Sequence, residues 1–216
     1  MTTDPRSRII EAAARCYAQL GSRGATTRRI ADEAGVNEIT LFRHFGSKEA
    51  LLELVTREWA AIQEPPSLPT VAVDPIGEVA AWVTHQYREL SQWSPFIRRS
   101  LGESSEHPDA SKATCESSTY TSAHLYAYVL RLQEAGFLDV TRPGGESDRC
   151  YACTMLTSAL FSDAVWREVM PSMFPGTPDE AIAAYVRLFA HAIGLRLDVH
   201  PDHQRETPLA LPALAH

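Results

Sequence analysis

The chain has 216 residues, of which 44% are hydrophobic and 22% are charged, and its formal net charge is −7 at pH 7. These proportions are typical of a globular protein with a core of ordinary size. Its four cysteines are too few for a disulfide scaffold, and they suit a reducing compartment. No apolar run approaches the ~18 residues of a membrane span, and the first residues lack the pattern of a signal peptide. We therefore expect a cytoplasmic protein with no membrane partner.

The charge is distributed unevenly along the chain. Residues 1–48 carry eight basic and five acidic side chains, a net charge of +3, whereas residues 49–216 carry 12 basic and 22 acidic ones, a net charge of −10. Such an asymmetry suits a protein whose first part meets a polyanion while the rest does not.

Apolar residues recur at helical spacing through most of the chain, and no stretch alternates for long enough to predict a strand. We therefore predict an all-α fold. The first helix is expected over residues 5–20, with Gly21 ending it. A second, short helix follows Thr26, a suitable N-cap, and ends before Gly35.

A third short helix is predicted over Glu38–Phe45, and Ser47 is the expected N-cap of a fourth. Four prolines between Glu64 and Pro75 then mark a boundary between two halves, because a helix interior does not tolerate them.

Four further helices are predicted in the second half, with apolar residues at helical spacing in each. They are expected at about 76–90, 117–135, 147–170 and 178–197. The last two carry more apolar surface than one subunit is expected to cover, which favours a homodimer built from them.

Residues 26–45 predict two short helices joined through a glycine turn, the geometry of a helix-turn-helix. Leu41 and Phe45 share the inner face of the second of these helices. The side chains left free to enter a DNA groove about 12 Å wide are Ile39, Thr40, Phe42 and Arg43. The alternative is an ordinary bundle of three small helices with arginines on its surface.

This segment resembles the DNA-binding domain of the tetracycline-repressor (TetR) family of transcriptional regulators, over about residues 5–60. The residues that carry the resemblance are Thr26, Thr27, Ile30, Ala31, Ala34, Gly35, Val36, Leu41, Phe42, His44, Phe45, Ser47, Lys48, Glu49 and Leu51. The resemblance implies an N-terminal helix-turn-helix domain followed by a helical domain for ligand binding and dimerisation.

The division implied by the resemblance and the proline boundary has four parts. They are a helix-turn-helix domain over 1–47, a connecting helix over 48–64, an effector-binding and dimerisation domain over 65–197, and a flexible tail over 198–216. The expected partners are double-stranded DNA with a palindromic operator, a second copy of the chain and a small-molecule effector. No cofactor is expected.

By position in the family pattern, the phosphate contacts fall on Thr27, Thr40, His44 and Lys48. Base reading then falls to Arg28, Ile39, Thr40 and Arg43, since an arginine can pair in bidentate fashion with guanine. Phe42 stands where the family usually has tyrosine, so that the hydroxyl is missing and the ring meets a thymine methyl or sugar instead. Glu38 can accept from a cytosine amino group, or can serve as a first-turn carboxylate.

The effector site is expected among aromatic and polar side chains of the middle helices, which would line a largely apolar pocket. The candidates are Trp82, Gln86, Trp93, Phe96, Tyr120, His124, Tyr128, Phe161 and Trp166. The alternative is that these residues belong to the core.

Cys150 and Cys153 form a Cys-x-x-Cys pair, but a zinc site needs two further ligands at suitable spacing. No second pair of this kind is present, and we expect Cys150 and Cys153 to be small core residues rather than a metal or redox site. His200 and His203, in the tail, are expected to be solvated.

The leading hypothesis is a ligand-responsive, dimeric transcriptional repressor without enzymatic activity. One alternative is an enzyme with its active site in the second half, although no catalytic motif supports it and Glu103, Glu106 and Asp109 lie in a polar segment expected to be a loop. The other is a DNA-binding protein regulated by a protein partner.

Overall fold

The computed structural model describes residues 4–62, 66–103, 108–141 and 145–196, and over these residues the fold is all-α, as predicted. A 3-10 turn at Pro171–Met173 lies before the last helix. The helices are α1 Pro5–Gly24, α2 Thr27–Ala34, α3 Glu38–Phe45, α4 Lys48–Ile62, α5 Pro75–Gly102, α6 Pro108–Glu134, α7 Gly145–Trp166 and α8 Pro178–Ile193.

The first three helices form a small bundle around fully buried side chains of Ile9, Ile30 and Leu41. Regular α1 geometry ends at Gly21, where φ is 71° and ψ is −178°. The short helices α2 and α3 depend on their caps, because helices of this length are unstable alone. Thr26 Oγ1 accepts from the Arg29 N–H at 3.3 Å, in agreement with its predicted role.

The long helix α5 lies at the centre of the molecule and packs against α1, α6, α7 and α8. It continues past the predicted end to Gly102 and includes Pro95 in its interior. Because α5 contacts both α1 and the last two helices, it joins the N-terminal bundle to the second half.

A connecting segment, residues 66–74, leads from the end of α4 to α5 and is held by side chains of α5 and α6. Arg131 donates to the carbonyls of Pro69 and Leu68, both at 3.3 Å. Glu78 accepts from the N–H groups of residues 73 and 74 at 2.9 and 3.0 Å, and Tyr128 donates its hydroxyl proton to the same carboxylate. The connecting segment is therefore fixed by the first turn of α5 and by the last turns of α6.

A buried carboxylate joins α5, α7 and α8. Asp163 is 0% exposed and accepts from the hydroxyls of Tyr87 at 3.0 Å and Tyr185 at 2.7 Å. Arg167 donates to it at 2.5 and 2.7 Å, and also donates to the Gly176 carbonyl at 2.7 Å. Burial alone would raise the pKa of Asp163, but these donors outweigh burial and lower it.

Several predicted helix bounds were wrong. Helix α6 begins at Pro108 rather than at residue 117, because its first turns are polar and show no apolar period, and Asp109 therefore lies on a helix. Helix α7 ends at Trp166 rather than at residue 170. Helix α8 ends at Ile193 rather than at residue 197 because Gly194 adopts a left-handed conformation with φ of 74°.

The chain after α8 pairs with the chain after α6. Leu138 and Leu195 form an isolated antiparallel bridge, and the Arg196 N–H donates to the Phe137 carbonyl at 2.9 Å. The predicted tail over 198–216, with His200 and His203, lies outside the described residues. None of the helices, in the part of the chain that the structure describes, is long and apolar enough to cross a membrane.

Candidate nucleic-acid interface

Helices α2 and α3 meet through a turn at Gly35, whose φ of 63° favours glycine. Asn37 caps α3 by accepting from the Ile39 N–H at 2.9 Å. Leu41 is buried beneath α3, whereas Ile39 is 75% exposed and Phe42 is 46% exposed on its outer side. Two apolar side chains thus remain in solvent on a helix that has an apolar core face of its own.

Arg28 on α2 and Arg43 on α3 are exposed. Within the described ranges neither makes a hydrogen bond or an ion pair. By contrast, Arg15 pairs with Glu33 at 3.0 Å and holds α1 to α2. Arg28 and Arg43 are therefore free to meet a ligand without losing an internal partner.

Thr27 and Glu38, both predicted to contact DNA, are bonded to each other. Thr27 Oγ1 donates to the Glu38 carboxylate, and this bond links α2 to α3. Both side chains are half-buried. The arrangement favours a role for Glu38 in holding the two helices together, which is closer to the first-turn interpretation than to base reading.

Lys48 is the first residue of α4, after Ser47, whose hydroxyl accepts from the Ala50 N–H at 3.0 Å. The Lys48 ammonium donates to the carbonyl of Ser22 at 2.9 Å. An ammonium has three protons to donate, so two are left for another acceptor. The N-terminus of α4 also favours an anion because of its free N–H groups and dipole.

The other predicted DNA contacts lie on the same surface. Thr40 is half-buried and His44 is exposed, with its ring 6.0 Å from the ring of Phe45. The structure thus brings all nine predicted residues onto α2, α3 and the start of α4.

Two arginines of α1 also reach this region, and sequence reasoning assigned them no role. The Arg6 guanidinium lies 5.9 Å from the centre of the Phe45 ring, and Arg8 lies beside Gly35. Their basic character in the first turns of α1 was the one signal available.

The nine predicted effector residues are not gathered into one described cavity. Trp82, Gln86, Phe96 and Tyr128 are buried in the core, Tyr120 is exposed, and the other four are half-buried. Two cavities of about 370 and 360 Å³ lie between α5, α7 and α8 and between α1 and α5, and none of the nine lines either of them. The Trp82 indole N–H is buried and has no hydrogen-bond partner within the described residues.

The cysteine pair is split between two environments. Cys150 is exposed, whereas Cys153 is fully buried and burial raises the pKa of its thiol to about 12. A thiol with that pKa stays protonated at neutral pH and is a poor metal ligand. Over the residues described, no group of three or more side chains is placed to hold a metal ion.

The N-terminal part of the chain is similar in sequence to known transcriptional regulators. Residues 9–55 match the profile of the family described as bacterial regulatory proteins, tetR family. The transcriptional repressor AcnR of Corynebacterium glutamicum is 44% identical over 59 residues, which cover 27% of this chain and 31% of that protein. The repressor KstR2 of Rhodococcus jostii is 38% identical over 52 residues, covering 24% and 26%. The chain thus matches less than a third of the length of these curated relatives.

Solved structures match over most of the chain. The TetR family regulator PfmR of Thermus thermophilus is 22% identical with a TM-score of 0.63, covering 85% of this chain and 97% of that one. A TetR-family regulator of Rhodococcus sp. is 14% identical with a TM-score of 0.64, covering 89% and 100%. The fold of these regulators is therefore shared along most of the chain, and residues 9–55 match the profile of the tetR family of bacterial regulatory proteins.

Proposed function

We propose that this protein is a transcriptional repressor that binds a palindromic operator as a homodimer and is released by a small apolar or amphipathic effector. One observation carries the DNA-binding part: α3 presents exposed Ile39, Phe42 and Arg43 beside an exposed Arg28, while its opposite face is buried. An exposed helix with mixed side chains on a helix-turn-helix suits the major groove.

The contacts divide into two kinds. Arg28 and Arg43, aided by Ile39 and Thr40, read base edges, while Phe42 meets a thymine methyl or sugar. The remaining contacts go to phosphates, from Thr27, His44 and Lys48. A dimer places two such surfaces about one helical turn apart, roughly 34–36 Å, or at a multiple of it.

The test is recovery of duplex DNA from a randomised pool by the full-length purified protein. Enrichment of one palindromic sequence supports the proposal. Failure to enrich any sequence at moderate salt, where sequence-independent phosphate contacts no longer dominate, would remove it.

Replacing Arg43 by alanine should relax sequence choice rather than weaken binding uniformly. An arginine that reads a guanine edge is worth about 1–3 kcal/mol of discrimination, so the preference at one base pair of each half-site should fall by about that amount. The measurement is affinity for the operator and for all its single-base variants.

The matched control is Arg88→Ala, since Arg88 is also exposed and has no partner within the described ranges, but lies on α5. It should leave the pattern of base preference unchanged. An equal loss of affinity for every operator variant in Arg43→Ala would show that Arg43 does not read bases.

The dimer is proposed to form through α7 and α8. Their outer faces expose Tyr151 at 67%, Met155 at 71% and Leu188 at 67%, whereas their inner faces pack against α5 and each other. Large apolar side chains on two neighbouring helices favour a four-helix interface across a two-fold axis.

Sedimentation at micromolar concentration should give twice the chain mass of 23.9 kDa, and the double variant Met155→Glu with Leu188→Glu should give a folded monomer. Charges placed at the centre of an apolar interface lose hydration without gaining a partner. Val71→Glu is the control, because Val71 is as exposed but lies in the connecting segment. A wild-type monomer that still binds the palindrome would contradict this interface.

The effector is proposed to bind among the middle helices, where the buried indole N–H of Trp82, one of the nine predicted residues, has no hydrogen-bond partner within the described residues. A thermal-shift screen with apolar and amphipathic compounds tests this, because a ligand that binds only the folded state raises its melting temperature. Saturable stabilisation without conversion of the compound supports a sensor, whereas conversion would support the enzyme alternative.

A further inference from the structure

The last residues of α1, beyond the break at Gly21, are held by the charged side chains of Glu103, at the end of α5, and Lys48, at the start of α4. Ser22 follows Gly21, where α1 loses its helical geometry. The Ser22 N–H donates to Glu103 Oε2 at 3.3 Å, and the Ser22 carbonyl accepts from Lys48 Nζ at 2.9 Å. The backbone N–H and carbonyl of Ser22 therefore connect the end of α5 to the start of α4.

The Glu103 carboxylate is fitted to this part of α1. The space that a Cβ of residue 21 would need is filled by Glu103 Oε1, so that the glycine permits the close approach. The Glu103 side chain is only 20% exposed, and it pairs with Arg99 one turn earlier on α5, at 3.9 Å. Arg99 in turn donates to the Gln19 carbonyl at 3.3 Å.

Neighbouring ring contacts show that α1 and α5 are packed closely here. The rings of Tyr17 and Phe96 have centroids 5.1 Å apart, and both side chains are buried. The last part of α5, which leads to Glu103, is therefore held firmly against α1 where Glu103 meets Ser22.

We propose that Glu103 is a positioning residue for DNA binding, which helps to fix the backbone at Ser22 and thereby holds the Lys48 ammonium where it meets a phosphate. The proposal rests on the proposed function of Lys48. Glu103 accepts from the N–H on one side of the Ser22 Cα, and Lys48 donates to the carbonyl on the other side. Loss of the Glu103 bond shifts this backbone, so that the carbonyl no longer holds the ammonium at the phosphate and the contact is not made. Operator affinity thus depends on a residue of the second half that touches no DNA.

The salt dependence of operator binding tests this. The slope of log affinity against log salt is negative, and its magnitude falls by about 0.9 for each phosphate that the protein no longer neutralises. Lys48→Ala should lower the slope by that amount for each subunit. Glu103→Ala should lower it equally, and the double variant should lower it no further, since both changes act on the same lysine–phosphate pair.

Two further variants test whether the hydrogen bond of Glu103 or its negative charge is responsible for the effect. Glu103→Gln keeps an oxygen that can accept from the Ser22 N–H, and it should keep the wild-type slope. Glu168→Ala removes an equal charge from an exposed site, 73% exposed and paired with Arg98, and should also keep it. Glu103→Asp is one methylene short of Ser22 and replaces the alanine variant if that variant does not fold.

The outcomes are distinct. A wild-type protein that binds no DNA removes the proposed function itself. If the wild type binds and Lys48→Ala lowers the slope while Glu103→Ala and Glu103→Asp do not, the positioning role of Glu103 is wrong. An additive fall in the double variant, or an unchanged slope in Lys48→Ala, overturns it as well.

Discussion

Asp163→Ala should destabilise the folded protein by about 3–5 kcal/mol, the range for removing one partner of a buried ion pair. The variant leaves the Arg167 guanidinium without its carboxylate and the hydroxyls of Tyr87 and Tyr185 without an acceptor. Urea denaturation at fixed protein concentration measures the loss in the free energy of unfolding.

The control is Asp32→Ala, which removes an exposed carboxylate of α2 and should change stability by less than about 0.5 kcal/mol. A loss of similar size in both variants would mean that Asp163 contributes no more than surface charge.

The same carboxylate predicts a pH dependence. The pKa of Asp163 is lowered in the folded protein. Its contribution to the free energy of unfolding is therefore complete at pH values above the pKa of about 3.9 in the unfolded chain, and it is lost as the pH falls through the lower pKa of the folded protein. The stability difference between wild type and Asp163→Ala should therefore narrow on acidification through that range.

An effector that releases the operator should bind the released state far more tightly than the DNA-bound state. Reversing a 99:1 preference requires a ratio of about 10⁴, or about 5.5 kcal/mol. Linkage then requires operator DNA to weaken effector binding by the same factor. Titration of a compound from the thermal-shift screen, with and without operator, measures this ratio.

Equal affinities in the two titrations would exclude that compound as the inducer. The necessary control uses a duplex of unrelated sequence at the same concentration, which should leave effector affinity almost unchanged. This comparison separates true coupling from binding of the compound to DNA.

The N-terminal bundle was predicted closely because its signals are local. Caps at Thr26 and Ser47, the glycine turn and the apolar spacing all act within a few residues. The hydrogen bond from Lys48 to the Ser22 carbonyl could not be predicted in this way, since Ser22 lies 26 residues earlier in the chain.

The second half was harder because its organisation depends on contacts between distant residues. Tyr87 and Asp163 are 76 residues apart, and although the i,i+4 spacing of Asp163 and Arg167 indicates an ion pair, it does not indicate that the pair is buried against Tyr87. The aromatic side chains of this half predict a pocket, which stays a prediction: Phe96 and Tyr128 are buried, and burial does not distinguish a pocket wall from a core.

The pairing between the chain after α6 and the chain after α8 affects how the two sides of α4 are held. It fastens the end of α6 to the end of α8, while Arg131, on the last turn of the same α6, holds the connecting segment that follows α4. The start of α4 is bound to Ser22 through Lys48, whereas the segment that follows α4 is bound to α6, and the end of α6 to the chain after α8. A change in the position of α6 relative to α1 would therefore act on the two sides of α4 through different contacts.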